Sequence, residues 1–427
     1  MQQVKLSLLG NRMFKKLQKS YAVFYGFFLL LWVFVQFTSG NLQLSFDINA
    51  KTPDAESYVE SAKLLLNGSY PWFRAVGYPL LLAPFIHFFG ENGTIIIFTL
   101  LQLMFWLITL RLLYHILLLL KIDAKIVILA CIIASLTISN ILTTNHLLTE
   151  TSYSLLLVLS LYLLLRWLLN KNDKYIGFIF IVLAVSALIR PLGVNFYYLS
   201  FLILIISLWR KKMFLLPYFG ISLLLFCTHL FLMKKHHNTY QVCLSKNHAL
   251  HHYLYMKVIN YPNMNASDYE PQFFANSAIL DSQISGQSNF YAFRDSIYDE
   301  KNKQLFSKNR YATLKTMYVN FKDELWEGFS NHSLAKNWVY TISKWQHFIF
   351  IGSIPFLLLW FAILFITKKI RELNLLIWLT ICFMIIGYVC LASSLVFWYG
   401  DRLHLPLYYI LIMIFCFFFQ ISKPKYE

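Results

Sequence analysis

The chain has 427 residues, of which 58% are hydrophobic and only 13% are charged. A soluble domain carries roughly 25% charged residues, so this composition excludes an ordinary soluble protein and indicates that lipid surrounds much of the chain. The net charge of +17 is compatible with a nucleic-acid partner, but the Lys and Arg residues lie in short clusters between apolar segments. We therefore expect no nucleic-acid partner. The six cysteines show no metal-ligand spacing, so neither a disulfide framework nor a zinc ribbon is predicted.

Apolar segments of about 20 residues, the length that a helix needs to cross a bilayer, recur along the chain. About ten of them are present, which predicts an all-α, polytopic membrane protein. The shorter apolar segment 77–90 is expected to dip into the membrane interface. The first apolar segment is too long for a signal peptide and no A-x-A site follows it, so we expect an uncleaved anchor. The predicted spans are 21–39, 94–120, 125–142, 150–169, 175–190, 193–209, 213–233, 347–366, 373–391 and 403–421.

The short loops differ in their content of Lys and Arg, and this difference predicts the orientation of the spans. One alternating set of loops is rich in these residues and includes the pair Lys121 and Lys125 and the run 210–212. The other set carries few. Because positive loops stay on the inner side, we expect a multi-pass protein of the cytoplasmic (inner) membrane with both termini in the cytoplasm.

The order of apolar and polar segments predicts three regions. Residues 1–233 form an N-terminal transmembrane block whose first external loop is 40–76. Residues 234–346 form an extracytoplasmic insert, in which about one residue in five is charged, a fraction typical of soluble domains. Residues 347–427 form a C-terminal transmembrane block.

The first external loop contains a predicted short helix. Thr52 can cap it, Pro53 fits its first turn, and Asn67-Gly68 can end it. Its apolar residues share one face, which predicts a helix that lies along the membrane surface. These residues are Ala55, Val59, Ala62 and Leu66.

Two acids, Asp54 and Glu56, fall in the first turn of this helix. Acids at that position complement the helix dipole and need no catalytic role, so the residues alone favour a structural explanation. Asp47, seven residues before Asp54, is a further acid on the same loop.

The first external loop resembles that of the GT-C glycosyltransferases. The resemblance rests on Asp54-x-Glu56-x-Tyr58, a small-residue helix that ends at Asn67-Gly68, and Arg74-Ala-Val-Gly77-Tyr78-Pro79. GT-C enzymes are membrane proteins that use polyprenyl-phosphate sugars. They include the protein O-mannosyltransferases, the aminoarabinose transferases of lipid A and many bacterial enzymes of surface polysaccharides.

Three further segments resemble GT-C sequences in the same order. They are Leu147-Leu148-Thr149-Glu150, the Arg-Pro turn within Ala187–Gly193, and Gly400-Asp401-Arg402-Leu403-His404. The resemblance covers about residues 45–209 and, more loosely, the C-terminal spans. It does not extend to the insert 234–346.

The resemblance implies a reaction and assigns roles in it. The family moves a sugar from a polyprenyl phosphate to an acceptor hydroxyl or amine, with inversion at the anomeric carbon. Such a reaction needs a base near the acceptor and positive charge near the departing phosphate. Asp54 is the candidate base with Glu56 beside it, and Asp47 is an alternative base. Arg190 and Arg402 are candidate phosphate ligands. The remaining candidates for substrate binding are Arg74, Tyr58, Glu150 and His146.

The cost of charge in a membrane is a separate reason to single out these residues. An ionisable group at the bilayer centre costs at least ~2.5–3.5 kcal/mol, so Arg190, which lies in an apolar segment, needs a partner or a watery cavity. The alternative for Arg190 is an arginine that extends to the interface. For Arg402 it is a simple pair with Asp401, and for Glu150 an acid that complements a helix dipole.

Two residue pairs that contain histidine raise the question of a metal. His146 and Glu150, four residues apart, are expected on one helical face, where they could position the acceptor or hold a divalent ion. His248 and His252 in the insert are weak metal candidates, since a solvated histidine-rich helix has the same pattern. No cofactor is predicted with certainty, and a divalent cation stays open.

Two other functions fit the same architecture. A transporter or flippase of lipid-linked anions would use the same arginines, although its two halves would usually match and these do not. A polysaccharide polymerase or ligase also has many spans and a large external loop, in which His248, His252 and Arg294 would be the key residues. The acidic loop directly after the first span favours the glycosyltransferase. The sequence specifies neither the sugar nor the acceptor, which would be a lipid, glycan or protein.

Overall fold

A computed structural model describes residues 25–39, 53–209, 212–260, 266–285, 289–325, 337–370, 372–395 and 400–423. Regular structure within these ranges is helical, with no strand among them. Six of the described helices are long and apolar enough to cross a membrane. The expectation of an all-α, multi-pass membrane protein is therefore confirmed.

The helices of the N-terminal block precede the first external loop, lie within it or follow it. They are α1 (Tyr25–Ser39), α2 (Pro53–Leu66), α3 (Gly77–Leu119), α4 (Ala124–Ser135), α5 (Ile138–Thr143), α6 (Glu150–Asn170), α7 (Lys174–Ile189), α8 (Gly193–Trp209) and α9 (Leu216–His237).

The insert and the C-terminal block are also helical. The insert contains α10 (Lys246–Leu250), a π-helical turn (His251–Tyr255), α11 (Met256–Ile259), α12 (Ala266–Ile284), α13 (Phe290–Lys308) and α14 (Arg310–Glu324). The C-terminal block contains α15 (Asn337–Gly352), α16 (Ile354–Ile366), a 3₁₀ turn (Gly400–Leu403) that follows α17 (Leu373–Leu395), and α18 (Leu405–Ser422).

Within the described residues, each predicted span contains helical structure, but the helices differ in length. Helices α1, α4, α7 and α8 are apolar and shorter than the six long ones. The predicted span 125–142 is divided, because α4 ends at Ser135 and α5 begins at Ile138. Helix α15 begins at Asn337, ahead of the predicted boundary at 347.

The segment 77–90 is the first part of α3. It is separated from the rest of that helix by Gly90, whose φ of 66° lies in the left-handed region. A glycine adopts this conformation without the steric penalty of a side chain, so the helix breaks here and then resumes.

Helix α18 lies at the centre of the bundle. Its residues are buried on all sides, and it packs against α3, α4, α6, α16 and α17. A helix that is apolar all round is stable in this position because every face meets another helix. The 3₁₀ turn Gly400–Leu403 directly precedes α18, so this central helix fixes the position of Arg402.

Helix α2 packs on the first part of α3. Ala55, Val59 and Ala62, which share the predicted apolar face, are buried against Tyr78 and Leu82. The helix ends at Leu66, and Gly68 follows with a φ of 75°, as the Asn67-Gly68 pair predicts. The proposed cap Thr52 lies outside the described residues. This packing holds the first turn of α2, which carries Asp54, against the first part of α3.

Candidate active site

Five charged side chains from distant parts of the chain form one network of ion pairs, which we call the charged cluster. Its members are Asp54 in the first turn of α2, Arg74 in the following loop, Glu150 at the start of α6, Arg190 after α7, and Arg402 in the 3₁₀ turn. All five are among the candidates that the sequence provides.

Arg402 joins the two acids of the charged cluster. Its Nη2 lies 3.0 Å from Asp54 Oδ2. It also donates from Nε and Nη2 to Glu150 Oε1, at 3.0 Å and 2.9 Å. A guanidinium presents several N–H donors in a fixed plane, which lets one side chain bind two carboxylates at once. The first external loop is thereby connected to the start of α6 and to the C-terminal block.

Arg74 binds the other oxygen of Asp54. Its Nη2 is paired with Asp54 Oδ1, and its Nε donates to Ser57 Oγ at 2.7 Å. The guanidinium carbon also lies 4.7 Å from the ring centre of Tyr58. These contacts fix Arg74 from three sides. Tyr58 itself lies with its Oη 3.5 Å from Thr149 Oγ1, next to Glu150.

Arg190 lies on the far side of Glu150. Its Nη2 is 3.6 Å from Glu150 Oε1, and its guanidinium carbon is 5.7 Å from the ring centre of Tyr153. The backbone of Arg190 is extended, with φ −142° and ψ 127°. The next residue, Pro191, disfavours a helical conformation for the residue before it, so α7 ends and the side chain turns toward Glu150.

The backbones of Gly77 and Leu188 approach each other closely, and this contact fixes the position of Arg190. A Cβ on Gly77 would lie 2.8 Å from the carbonyl carbon and oxygen of Leu188. Only glycine therefore fits where α3 begins against the end of α7. The Gly77 motif and the Arg-Pro turn are therefore neighbours in the structure.

The charged cluster is largely removed from solvent and carries a net positive charge. The side chains of Glu150, Arg402 and Asp54 are 1%, 9% and 17% exposed. Burial opposes ionisation of the Asp54 carboxyl, but the guanidinium groups of Arg74 and Arg402 outweigh it and hold its pKa well below its usual range. Three arginines and two carboxylates leave an excess of one positive charge, which suits an anionic ligand.

Several polar atoms at the cluster have no hydrogen-bond partner among the described residues. They are Glu150 Oε2, Arg190 Nη1 and Tyr153 Oη, and all three atoms are buried. Buried polar atoms in folded proteins are nearly always hydrogen-bonded, so these three are suited to a bound water or substrate.

Two other candidates, Glu56 and His146, are not members of the cluster. Glu56 is exposed on α2 and takes part in none of these ion pairs. His146 is buried in the turn before α6, and its carbonyl accepts from Gln102 Nε2. The expectation that His146 and Glu150 share a helical face is wrong, because α6 begins only at Glu150. The alternative base Asp47 falls outside the described residues.

The metal candidates of the insert contact aromatic rings. His248 lies in α10 and His252 in the π-helical turn, and their rings are 5.1 Å and 4.2 Å from that of Phe273. Across the described part of the chain, no group of three or more His, Cys, Asp or Glu residues is placed to hold a metal ion.

Two buried histidines beside the cluster were not among the candidates. His404 Nε2 lies 3.0 Å from Ser393 Oγ, and His347 Nδ1 lies 2.9 Å from Tyr408 Oη. The two rings are 5.0 Å apart. His404 follows Arg402 by two residues, so these contacts support the turn that carries Arg402. The sequence signal that could have identified these two residues is a histidine within each of two apolar segments.

Comparison with known proteins adds no relative. No family model, no curated protein and no solved structure matches this chain.

Proposed function

We propose that this chain is an inverting glycosyltransferase of the GT-C type, which moves a sugar from a polyprenyl phosphate to a lipid, glycan or protein acceptor. The observation that supports it is the charged cluster. The candidate base Asp54 and the candidate phosphate ligand Arg402 are in direct contact, and Arg190 reaches them through Glu150. We further propose ten spans, cytoplasmic termini and a site at the outer face of the cytoplasmic membrane.

The arginines account for the phosphate side of the reaction. Guanidinium groups bind phosphate oxygens in pairs, and a site with excess positive charge stabilises the phosphate as it leaves the sugar. Arg190 supports this role because its Nη1 is buried without a described hydrogen-bond partner. The prenyl chain of the donor would remain in the lipid beside the bundle.

Asp54 accounts for the acceptor side. The acceptor O–H or N–H gives its proton to the Asp54 carboxylate, and the acceptor atom bonds to the anomeric carbon. The bond between that carbon and the phosphate oxygen breaks, and the phosphate leaves with the electron pair. The opposite-face attack inverts the anomeric configuration.

Binding of the donor would also activate the base. A carboxylate paired with two guanidinium groups accepts a proton poorly, because its pKa is far below neutral pH. A donor phosphate that draws Arg402 away leaves Asp54 paired with Arg74 alone and raises its pKa. Asp54 becomes a better base only when the donor is in place.

The proposal is tested by sugar transfer in proteoliposomes that contain a polyprenyl-phosphate sugar. Asp54→Asn keeps the shape of the side chain and removes the base, so transfer should fall by about 10²- to 10⁴-fold. Glu56→Gln is the matched control on the same helix turn and should keep most of the activity. Full activity of Asp54→Asn would show that the base is wrongly assigned.

A second candidate function is transport of a lipid-linked anion, which the net positive charge of the buried cluster also supports. A flippase would move the polyprenyl-phosphate sugar between leaflets of a proteoliposome without transferring the sugar. Measurement of both quantities in one preparation separates the two functions. The polymerase or ligase alternative instead requires Arg294, which is paired with Asp281 at 3.0 Å in the insert.

A further inference from the structure

The insert contacts the first external loop two residues before Arg74. The ring of Tyr291, in the first turn of α13, stacks on that of Trp72 with centroids 3.6 Å apart and planes 12° apart. Stacked aromatic pairs usually have larger centroid distances, so this is a close contact. The Arg294 guanidinium carbon lies 5.4 Å from the Trp72 ring centre. Two side chains of α13 therefore hold one side chain of the loop.

Backbone hydrogen bonds fasten the same loop. The Leu244 N–H donates to the Trp72 carbonyl at 2.8 Å, and His237 Nε2 lies 2.9 Å from the Tyr70 carbonyl oxygen. The loop residues Tyr70 and Trp72 are thus held by side chains and by main chain from the insert region.

Helix α13 also secures the segment that carries Leu244. Asp295 Oδ2 accepts from Gln241 Nε2 at 3.0 Å and from Asn247 Nδ2 at 2.8 Å. These two residues flank Leu244 in sequence. The first turns of α13 therefore reach Trp72 by two routes, one through ring stacking and one through residues 241–247.

On its other side, the loop ends in the charged cluster. Arg74 donates to Ser57 Oγ and pairs with Asp54. Because only one residue separates Trp72 from Arg74, a shift of the Trp72 backbone moves the Arg74 guanidinium. The insert is therefore connected to the candidate base Asp54 indirectly, through Trp72 and Arg74.

We propose that Tyr291 is a positioning residue, and that α13 of the insert holds Arg74 on Asp54 through the stack on Trp72. This inference rests on the proposed function, and it gives the insert a part in catalysis. Loss of the stack frees the loop, so Arg74 leaves Asp54 more often and the base is misplaced. Small displacements of catalytic groups reduce rates by up to about 10²-fold.

The test compares Tyr291→Ala with Tyr291→Phe in the full chain in proteoliposomes. Phe keeps the stacked ring and should keep kcat, whereas Ala should lower kcat by about tenfold to hundredfold, with little change in the KM for the donor. Tyr311→Ala, at a position that is 74% exposed on α14, is the matched control and should match the wild type. Equal kcat for Tyr291→Ala and the wild type would overturn the inference.

The pH dependence supplies a readout that general destabilisation does not move. The charged groups facing Asp54 are Arg74, Arg402 and Glu150. Arg74 lowers the pKa of Asp54, so its displacement raises that pKa and moves the acid limb of the kcat profile to higher pH. An unmoved limb in Tyr291→Ala would contradict the inference. An Arg74→Lys background should remove most of the effect of Tyr291→Ala, since both act on the same ion pair.

Failure of the proposed function gives a different result. The wild type would then transfer no sugar, whether or not it binds polyprenyl monophosphate in mixed micelles. If the wild type transfers sugar and binds polyprenyl monophosphate, the proposed function stands. An unchanged kcat in Tyr291→Ala would then reject only the role of Tyr291.

Discussion

The charged cluster and the histidine-rich part of the insert are both polar and buried, but they are stabilised by opposite means. In the cluster, Arg402 bridges Asp54 and Glu150, so each charge has a partner of opposite sign. In the insert, His248 lies against the rings of Phe273 and Tyr298, at 5.1 Å and 5.2 Å. One region is held together by charge, whereas the other is stabilised by keeping its imidazoles neutral.

This difference supports the proposal that the charged cluster is the functional site. Burial of five ionised groups is costly, and such an arrangement is rarely the most stable solution for a membrane protein. Neutral histidines packed on aromatic rings form an ordinary core. We therefore assign function to the cluster and packing to the histidines, and each of the following predictions would break or sharpen that division.

The largest effect is expected for Arg402→Gln. It leaves the Glu150 carboxylate buried without the guanidinium that donates two hydrogen bonds to it. We expect the free energy of unfolding to fall by about 3–5 kcal/mol, as measured by denaturation in detergent micelles. Arg310→Gln, at an exposed position of α14, is the control and should change it by less than about 0.5 kcal/mol.

The double variant sharpens this prediction. Glu150→Gln combined with Arg402→Gln removes both buried charges, so it should recover part of the stability that Arg402→Gln loses. A double variant that is less stable than either single variant would mean that the cluster is not held by charge pairing.

A smaller effect is expected for Gly77→Ala. The added Cβ would lie 2.8 Å from the Leu188 carbonyl, which pushes α3 away from the end of α7 and displaces Arg190. Overpacking of this kind costs about 1–3 kcal/mol. Gly220→Ala is the control, because nothing lies within 4 Å of its added Cβ. Equal thermal stability of the two variants would show that the close approach does not matter.

The smallest effect is a loss of stability at acidic pH that arises from His248 in the insert. Burial, and then the Arg294 charge, lower the pKa of His248 to about 4, whereas an unfolded histidine titrates near ~6.5. The unfolded state therefore binds the proton first, so His248 alone contributes a loss of stability of at most about 1.4 kcal/mol per pH unit between those two values. His248→Phe should lose less over that range in pH-dependent denaturation. A steeper loss of stability in His248→Phe would contradict the inference that His248 is neutral in the folded protein.

The contribution of the cluster to stability should not change over the same pH range. The pKa of Asp54 is lowered, so its contribution is complete above the unfolded value near ~3.9 and disappears only as pH falls further. The stability difference between the wild type and Asp54→Asn should therefore be constant from pH 7 to about 5. A difference that shrinks in that range would show that the ion pairs are weak.

The sequence was sufficient to predict the apolar helices and the short helix of the first external loop, and its candidates include every member of the cluster. Long apolar segments can satisfy their backbone in lipid only as helices, so composition alone locates α6, α17 and α18. Arg190 and Glu150 stand out because charge is rare in such segments. The resemblance to GT-C sequences then groups them with Asp54 and Arg402.

The pairing within the cluster could not be predicted. Whether Arg402 binds Asp401 or the distant Glu150 depends on how α18 packs against α6, and that is a property of the assembled bundle. Local spacing was a poor guide in the same way. His146 and Glu150 have helical spacing, yet the turn before α6 separates them, since the helix begins at Glu150.

The most direct test of the central claim is an experimental structure with a bound polyprenyl monophosphate. We predict that the phosphate lies about 2.7–3.2 Å from guanidinium nitrogens of Arg402 and Arg190, and that Arg402 has moved away from Asp54. A phosphate bound elsewhere, or a cluster whose ion pairs are unchanged in the complex, would contradict the proposed site.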